Sequence, residues 1–157
     1  MTLPEPAGGR FEGDVHLFPV RVYYEDTDLS GVVYHANYLR WCERARSDIL
    51  RLLGIDQRRA HEAGEGAYAV TELAIRYAAP ARLDDLVVVA SEVLSLGAAS
   101  CRMAQSVRRG ATLLAKATVR IAFVAPDGRP RRQPRGWLEA FHTRFTPHPD
   151  KESVAPS

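Results

Sequence analysis

Over residues 15–24 apolar and polar positions alternate. Phe18, Val20, Val22 and Tyr24 share one face and Arg21 falls on the other. A period of two is that of a half-buried strand. The pattern breaks over an acidic stretch and Gly31, then resumes with a different period. Tyr38, Cys42, Ala45, Ile49 and Leu52 recur at steps of four, three, four and three, which lines one face of a helix over about residues 37–53. Arg40, Glu43, Arg44, Asp48 and Arg51 fall largely on its other face. Asn37 is placed to cap the start and Gly54 to end it. A shorter helix is expected around residues 56–63.

Four strand-like runs follow, at about residues 68–77, 86–94, 99–107 and 112–124. In the last, Leu113, Ala115, Ala117, Val119, Ile121 and Phe123 face one way, with Lys116, Thr118 and Arg120 opposite. Gly97 and the Arg108-Arg109-Gly110 stretch read as hairpin turns, so these neighbours pair antiparallel. Pro126-Asp127-Gly128 ends the last strand, and Trp137, Leu138 and Phe141 predict a short C-terminal helix. A helix with one apolar face must be covered by a sheet. The expected architecture is therefore α+β, a curved five-stranded antiparallel sheet wrapped around one long central helix. Tyr, Val and Leu on both faces of the middle strands predict that the outer face is covered too, most simply by another copy of the chain. Residues 1–14, rich in Pro and Gly, read as a flexible N-terminal arm, residues 15–146 as the domain, and 147–157 as a disordered tail.

The 157 residues suit one domain with a sizeable core, 46% hydrophobic and 25% charged. A formal charge of +2 argues against a dedicated nucleic-acid binder. The cluster Arg129, Arg131, Arg132 and Arg135 also lacks interleaved aromatics. Cys42 and Cys101 stand in no CxxC or metal-ligand spacing and read as buried free thiols. The opening stretch has no basic segment followed by an apolar run, so a secretory signal is not expected. No apolar stretch is long enough to span a membrane. The expected setting is reducing and cytoplasmic.

Candidate chemistry concentrates between the first strand and the long helix. Glu25, Asp26 and Asp28 are followed by Gly31, an apolar pair and His35. A carboxylate on a loop before a helix can attack an activated carbonyl or activate water. The first N–H groups of the helix have no internal acceptor and sit at the positive end of its dipole, where they can hold a developing oxyanion. Gly31 lets the loop bend and lets a substrate approach the backbone.

The stretch YEDTDLSGVVYHANY, residues 24–38, resembles the signature of the hotdog-fold 4-hydroxybenzoyl-CoA thioesterase family, most closely its YbgC-type branch of Tol–Pal-associated acyl-CoA thioesterases. CERARSDILRLLGI, residues 42–55, and YAAPARLDDLVVV, residues 77–89, resemble that branch at matching spacing. The resemblance implies a hotdog fold and an acyl-CoA thioesterase that works without metal or other cofactor. It implies Asp28 as the catalytic carboxylate, and His35 as a residue that positions the thioester or water, with its N–H at the carbonyl-binding position. It implies Tyr24 as support for the carboxylate. Asp26 is expected to hold the loop, and Glu43 to approach a neighbouring subunit's site. Gly31, Val33 and Tyr34 would line the substrate, while Arg82 and Arg108 are chosen among the loop arginines to meet CoA phosphates. The subunits are expected to pair as a homodimer or homotetramer, with acyl carrier protein as a second possible thioester donor.

Competing readings stay open here. Asp26, Asp28 and His35 could ligate Mn²⁺ or Zn²⁺, but no second histidine is spaced to complete a site. The domain could bind an acyl-CoA or acyl carrier protein without catalysis, or hydrate an enoyl thioester. Whether Asp28 attacks or activates water, and which acyl chain is taken, are not legible.

Overall fold

The computed structural model describes residues 1–149. The alternating runs become β1 (Arg10–Glu12), β2 (Val15–Arg21), β3 (Ala67–Tyr77), β4 (Leu86–Leu96), β5 (Ser100–Arg109) and β6 (Thr112–Val124). The helical patterns become α1 (His35–Leu52), α2 (Gln57–Glu62) and α3 (Arg135–Arg144), with one 3₁₀ turn at Tyr24–Asp26. All strands join a single sheet in the order β1-β2-β4-β5-β6-β3, every pair antiparallel.

The sheet has six strands rather than five. Composition predicts a loose arm through residue 14, yet Arg10–Glu12 pair with β2 through a turn at Gly13, whose φ is +62°. Phe11 drives this. Its ring packs edge-on against His16 and Phe145 at 5.3 and 5.4 Å between centroids. At the other end His148 N–H donates to Val93 O at 2.9 Å, and its ring bonds Asp14 Oδ2. The rest of the expected tail, residues 150–157, lies outside the described residues.

Helix α1 lies across the concave face and buries Tyr38, Trp41, Cys42, Ala45 and Ile49. A large apolar side chain such as Ile49 contributes roughly 1.5–3 kcal/mol when withdrawn from water, a methyl such as that of Ala45 roughly 0.8. The helix starts earlier than its capping signal suggests. Asn37 is not the cap but a buried residue inside the first turn, and Tyr34 holds the cap position. Gly54, at φ +75°, terminates the helix. Leu52 ends up 49% exposed, because Ile55 beyond the turn takes the core position. Asp48 is buried instead of facing water.

Two apolar clusters form. One surrounds the first half of α1 with Val22, Val33, Tyr38 and Trp41, and the other surrounds its second half with Ile49, Leu50, Met103 and Phe141. Between them a row of buried polar residues crosses three strands in register, His16 opposite Ser91 and Ser91 opposite Gln105. His16 Nε2–H donates to Asp48 Oδ2 at 2.7 Å. Gln105 Nε2 donates to Cys42 O and Ser91 Oγ, both at 3.0 Å.

The outer face of the middle strands carries Leu86 and Val88 at one end of β4, but is otherwise mainly Ala90, Glu92, Ser106, Lys116 and Thr118, so the anticipated Tyr, Val and Leu are met only in part. Further exposed apolar side chains gather on the edge strand β3, at Val70, Leu73 and Tyr77. The return from β3 to β4 must recross the sheet, and residues 78–85 do so beneath the start of α1. No described helix is long and apolar enough to cross a membrane.

Candidate active site

Beyond β2 the backbone is pinned to the 78–85 crossover. Val22 N–H donates to Asp85 O at 2.9 Å, and Asp84 N–H donates to Val22 O at 3.0 Å. The loop then closes on itself. Asp28 N–H donates to Val32 O at 2.9 Å, Gly31 N–H to Asp28 O at 3.0 Å, and Thr27 bridges Val33. Gly31 has φ +81°, a left-handed conformation that suits glycine. Asp26 holds the loop to the helix: its carbonyl accepts Tyr34 N–H at 2.9 Å and Asn37 Nδ2 at 2.8 Å. Its carboxylate accepts Tyr23 N–H at 2.8 Å.

Asp28 projects from this closed loop. Its Oδ1 accepts both the hydroxyl and the backbone N–H of Ser30, at 2.5 and 2.8 Å. The Ser30 hydroxyl, then its N–H, hold the Asp28 pKa below the ordinary carboxylate value, with smaller pulls from Val32 N–H and the His35 charge. Asp28 is thus ionised at neutral pH and exposed.

His35 is the first residue of α1. The preceding amides are spent, Val33 N–H on Ala81 O and Tyr34 N–H on Asp26 O, both at 2.9 Å. The N–H of His35 belongs to the first helical turn and has no intrahelical acceptor. Its carbonyl accepts the Tyr77 hydroxyl at 2.8 Å, and its ring stands against the Tyr34 ring at 4.5 Å between centroids. Tyr38 steadies the floor, its hydroxyl accepting Ala81 N–H at 3.0 Å. An ionised carboxylate beside a free helix-start amide can attack or hydrate a carbonyl while its oxygen is held.

The structure brings Asp28, Gly31, Tyr34 and His35 together. Val33 lies beneath them, buried and with its amide already bonded. Arg82 joins the site through a backbone bridge to Val32. Tyr24 is not brought to Asp28: it sits on the 3₁₀ turn, 82% exposed, and its hydroxyl has no hydrogen-bond partner among the described residues. Arg108 is also elsewhere, because β5 continues through it and its side chain leaves by the other face. Its neighbour Arg109 reaches the crossover, bonding Pro80 O at 3.1 Å and Asp85 Oδ2 at 2.9 Å. Glu43 is exposed on α1. Sequence reading misses Ser30 and Tyr77. Asp-x-Ser, a side chain-to-backbone turn signal, announces the first. Nothing local announces Tyr77, which comes from another element.

The profile of the Thioesterase superfamily matches residues 30–116. The acyl-CoA thioesterase YbgC of Haemophilus influenzae is 45% identical over 126 residues, which is 80% of this chain and 93% of that protein. The acyl-CoA thioester hydrolase YbgC of Escherichia coli O157:H7 is 40% identical over 126 residues, 79% of this chain and 93% of its own. A probable thioesterase from Bartonella henselae superposes with a TM-score of 0.73 at 38% identity, over 76% of this chain and 99% of that one. The helix wrapped by an antiparallel sheet is a hotdog fold, and the chain belongs to the Thioesterase superfamily.

Proposed function

We propose that the chain hydrolyses acyl-CoA thioesters to a free acid and the CoA thiol, with Asp28 as the catalytic carboxylate. The observation that carries this is the ionised Asp28 within electrostatic reach of His35, whose helix-start amide is unspent, in a chain so similar to named acyl-CoA thioesterases. The thioester oxygen docks at the His35 N–H, which binds it more tightly as it gains charge. Asp28 either attacks the carbonyl carbon, giving a mixed anhydride that water opens, or draws a proton from the attacking water. In both routes the C–S bond breaks and CoA leaves as thiolate; water's oxygen enters the acid directly, or, where water opens the anhydride at Asp28, enters the Asp28 carboxylate while an Asp28 oxygen leaves in the acid. Arg82 and Arg109 offer cations to the CoA phosphates. Two buried free thiols suit a cytoplasmic setting.

The working unit is a homodimer. β3 is an edge strand, paired on one side only; its Leu73 and Tyr77 are exposed, as are Leu29 and Tyr34 on the Asp28 loop and at the start of α1. Antiparallel pairing of two β3 strands about their middle sets the Tyr77 end of one copy beside the Tyr68 end of the other. Tyr77 is tied to His35. Each Asp28 loop then faces its neighbour and loses its exposure. A tetramer of two such dimers would use the polar outer face of the sheet.

Thiol release from a panel of acyl-CoA and acyl carrier protein thioesters, with the solution mass measured alongside, tests the reading. Release by a dimer or tetramer is expected. A folded protein that binds acyl-CoA yet releases no thiol would instead be a binding partner, and one that consumes enoyl-CoA without thiol release would be a hydratase.

A further inference from the structure

A cavity of about 250 Å³ opens between α1 and β3, away from Asp28 of the same chain. Leu50, Met103, Ile121 and Phe141 give it apolar walls, and Tyr68 stands at the β3 side. Tyr68 is already committed, its hydroxyl donating to Gln133 at 2.7 Å. Arg46 is not. One of its nitrogens donates to Gln105 Oε1 at 2.8 Å. Gln105 is 1% exposed and locked by its bonds to Cys42 and Ser91, so the guanidinium is held in a fixed place. No carboxylate of the described residues lies within 4.0 Å of Arg46, whereas Arg109 has Asp85. Glu43 also lines the cavity; exposed on α1, it acts on Arg46 by charge without a direct ion pair and leaves the guanidinium donors open. Burial draws the Arg46 pKa down from the ordinary guanidinium value, yet an arginine keeps its charge in a protein. Ser47 and Gln57 add neutral polar groups to the lining. A half-buried cation with unused donors in a cavity of apolar walls and neutral polar groups fits an anion, and a planar guanidinium fits a carboxylate best.

In the proposed β3 pairing, the Tyr68 end of β3, where this cavity opens, lies beside the Tyr77 end and Asp28 loop of a second copy. We propose that the cavity receives the acyl group and that Arg46 binds a carboxylate at its far end, so that CoA thioesters of dicarboxylic acids are the preferred substrates. This inference rests on the hydrolase and dimer readings, and names the substrate class of that same site.

Its test compares sets of acyl-CoA thioesters of equal chain length that end in a carboxylate, a hydroxyl or a methyl group. At one length or more, the carboxylate member is expected to exceed the methyl member in kcat/KM by about tenfold or more. Arg46→Gln is expected to bring that ratio towards one, chiefly through KM, and Arg46→Lys to keep part of it. Thiol release without a carboxylate preference at any length overturns the proposal and leaves the hydrolase standing. An equal gain from the hydroxyl overturns the charge assignment, and a preference undiminished in Arg46→Gln overturns the residue. No release from any thioester overturns the hydrolase reading and this one with it. The wild-type comparison decides the matter even if the variants fold poorly.

Discussion

Replacing Asp48 with Ala tests the polar row beneath α1. Asp48 Oδ2 accepts His16 Nε2–H at 2.7 Å and Gly9 N–H at 3.0 Å. His16 is fully buried, and its Nδ1 has no partner among the described residues. Moving the proton to the other ring nitrogen therefore rescues nothing. An unsatisfied buried donor costs about 1–3 kcal/mol, while Gly9, on the surface arm, regains water. The expected loss is about 2–3 kcal/mol from a total of roughly 5–15. That corresponds to a fall in Tm of about 5–10 °C for a chain of this size. Urea unfolding followed by the fluorescence of buried Trp41 measures it. The kcat/KM of the folded variant should stay within about twofold, because Asp48 lies about 20 Å along α1 from His35. An unchanged midpoint would refute the claim that this pair stabilises the fold. A collapse of kcat/KM at unchanged stability would make Asp48 part of the chemistry instead.

Other expectations follow from the same geometry. Burial holds the His16 pKa below 6.5 against the opposing pull of Asp48, so the unfolded chain takes up this proton first as pH falls. Stability is then full above that value and declines as pH drops through it; His16→Gln, which keeps a donor towards Asp48 but cannot titrate, should flatten the decline in acid unfolding curves, and an equally steep curve would count against it. Ser30→Ala removes the largest cause of the low Asp28 pKa, so the acid limb of the kcat/KM profile should move to higher pH, and a stationary limb would show that Asp28 does not set it. Leu73→Asp puts a charge on the exposed edge strand and should yield monomers with little activity in light scattering and thiol-release assays, whereas an active dimer would remove β3 from the interface.

What the sequence reveals is local. The β6 run is read to its exact bounds because one face is buried from Ala115 to Phe123, and α1 is found within two residues by its apolar stripe. β1 escapes because three residues give no periodicity and the surrounding Pro and Gly suggest an arm. Asp48 is misread because a helix nearly enclosed by a sheet buries more than one stripe, and its partner His16 comes from β2. Asp28, Gly31 and His35 are legible as a contiguous loop and helix start. The Tyr77 bond to His35 depends on tertiary packing across 42 residues. Reading Arg108 and Arg109 as one turn hides that successive strand residues point to opposite faces. Only the structure shows that Arg109, not Arg108, reaches the 78–85 crossover.

The central claim is that the Asp28 carboxylate performs the hydrolysis. Thiol release by Asp28→Asn from the best acyl-CoA substrate tests it most directly, with the unfolding midpoint checked in parallel. The account predicts a folded protein whose kcat falls by about a thousandfold or more. A folded variant that turns over within about tenfold of the parent would contradict it.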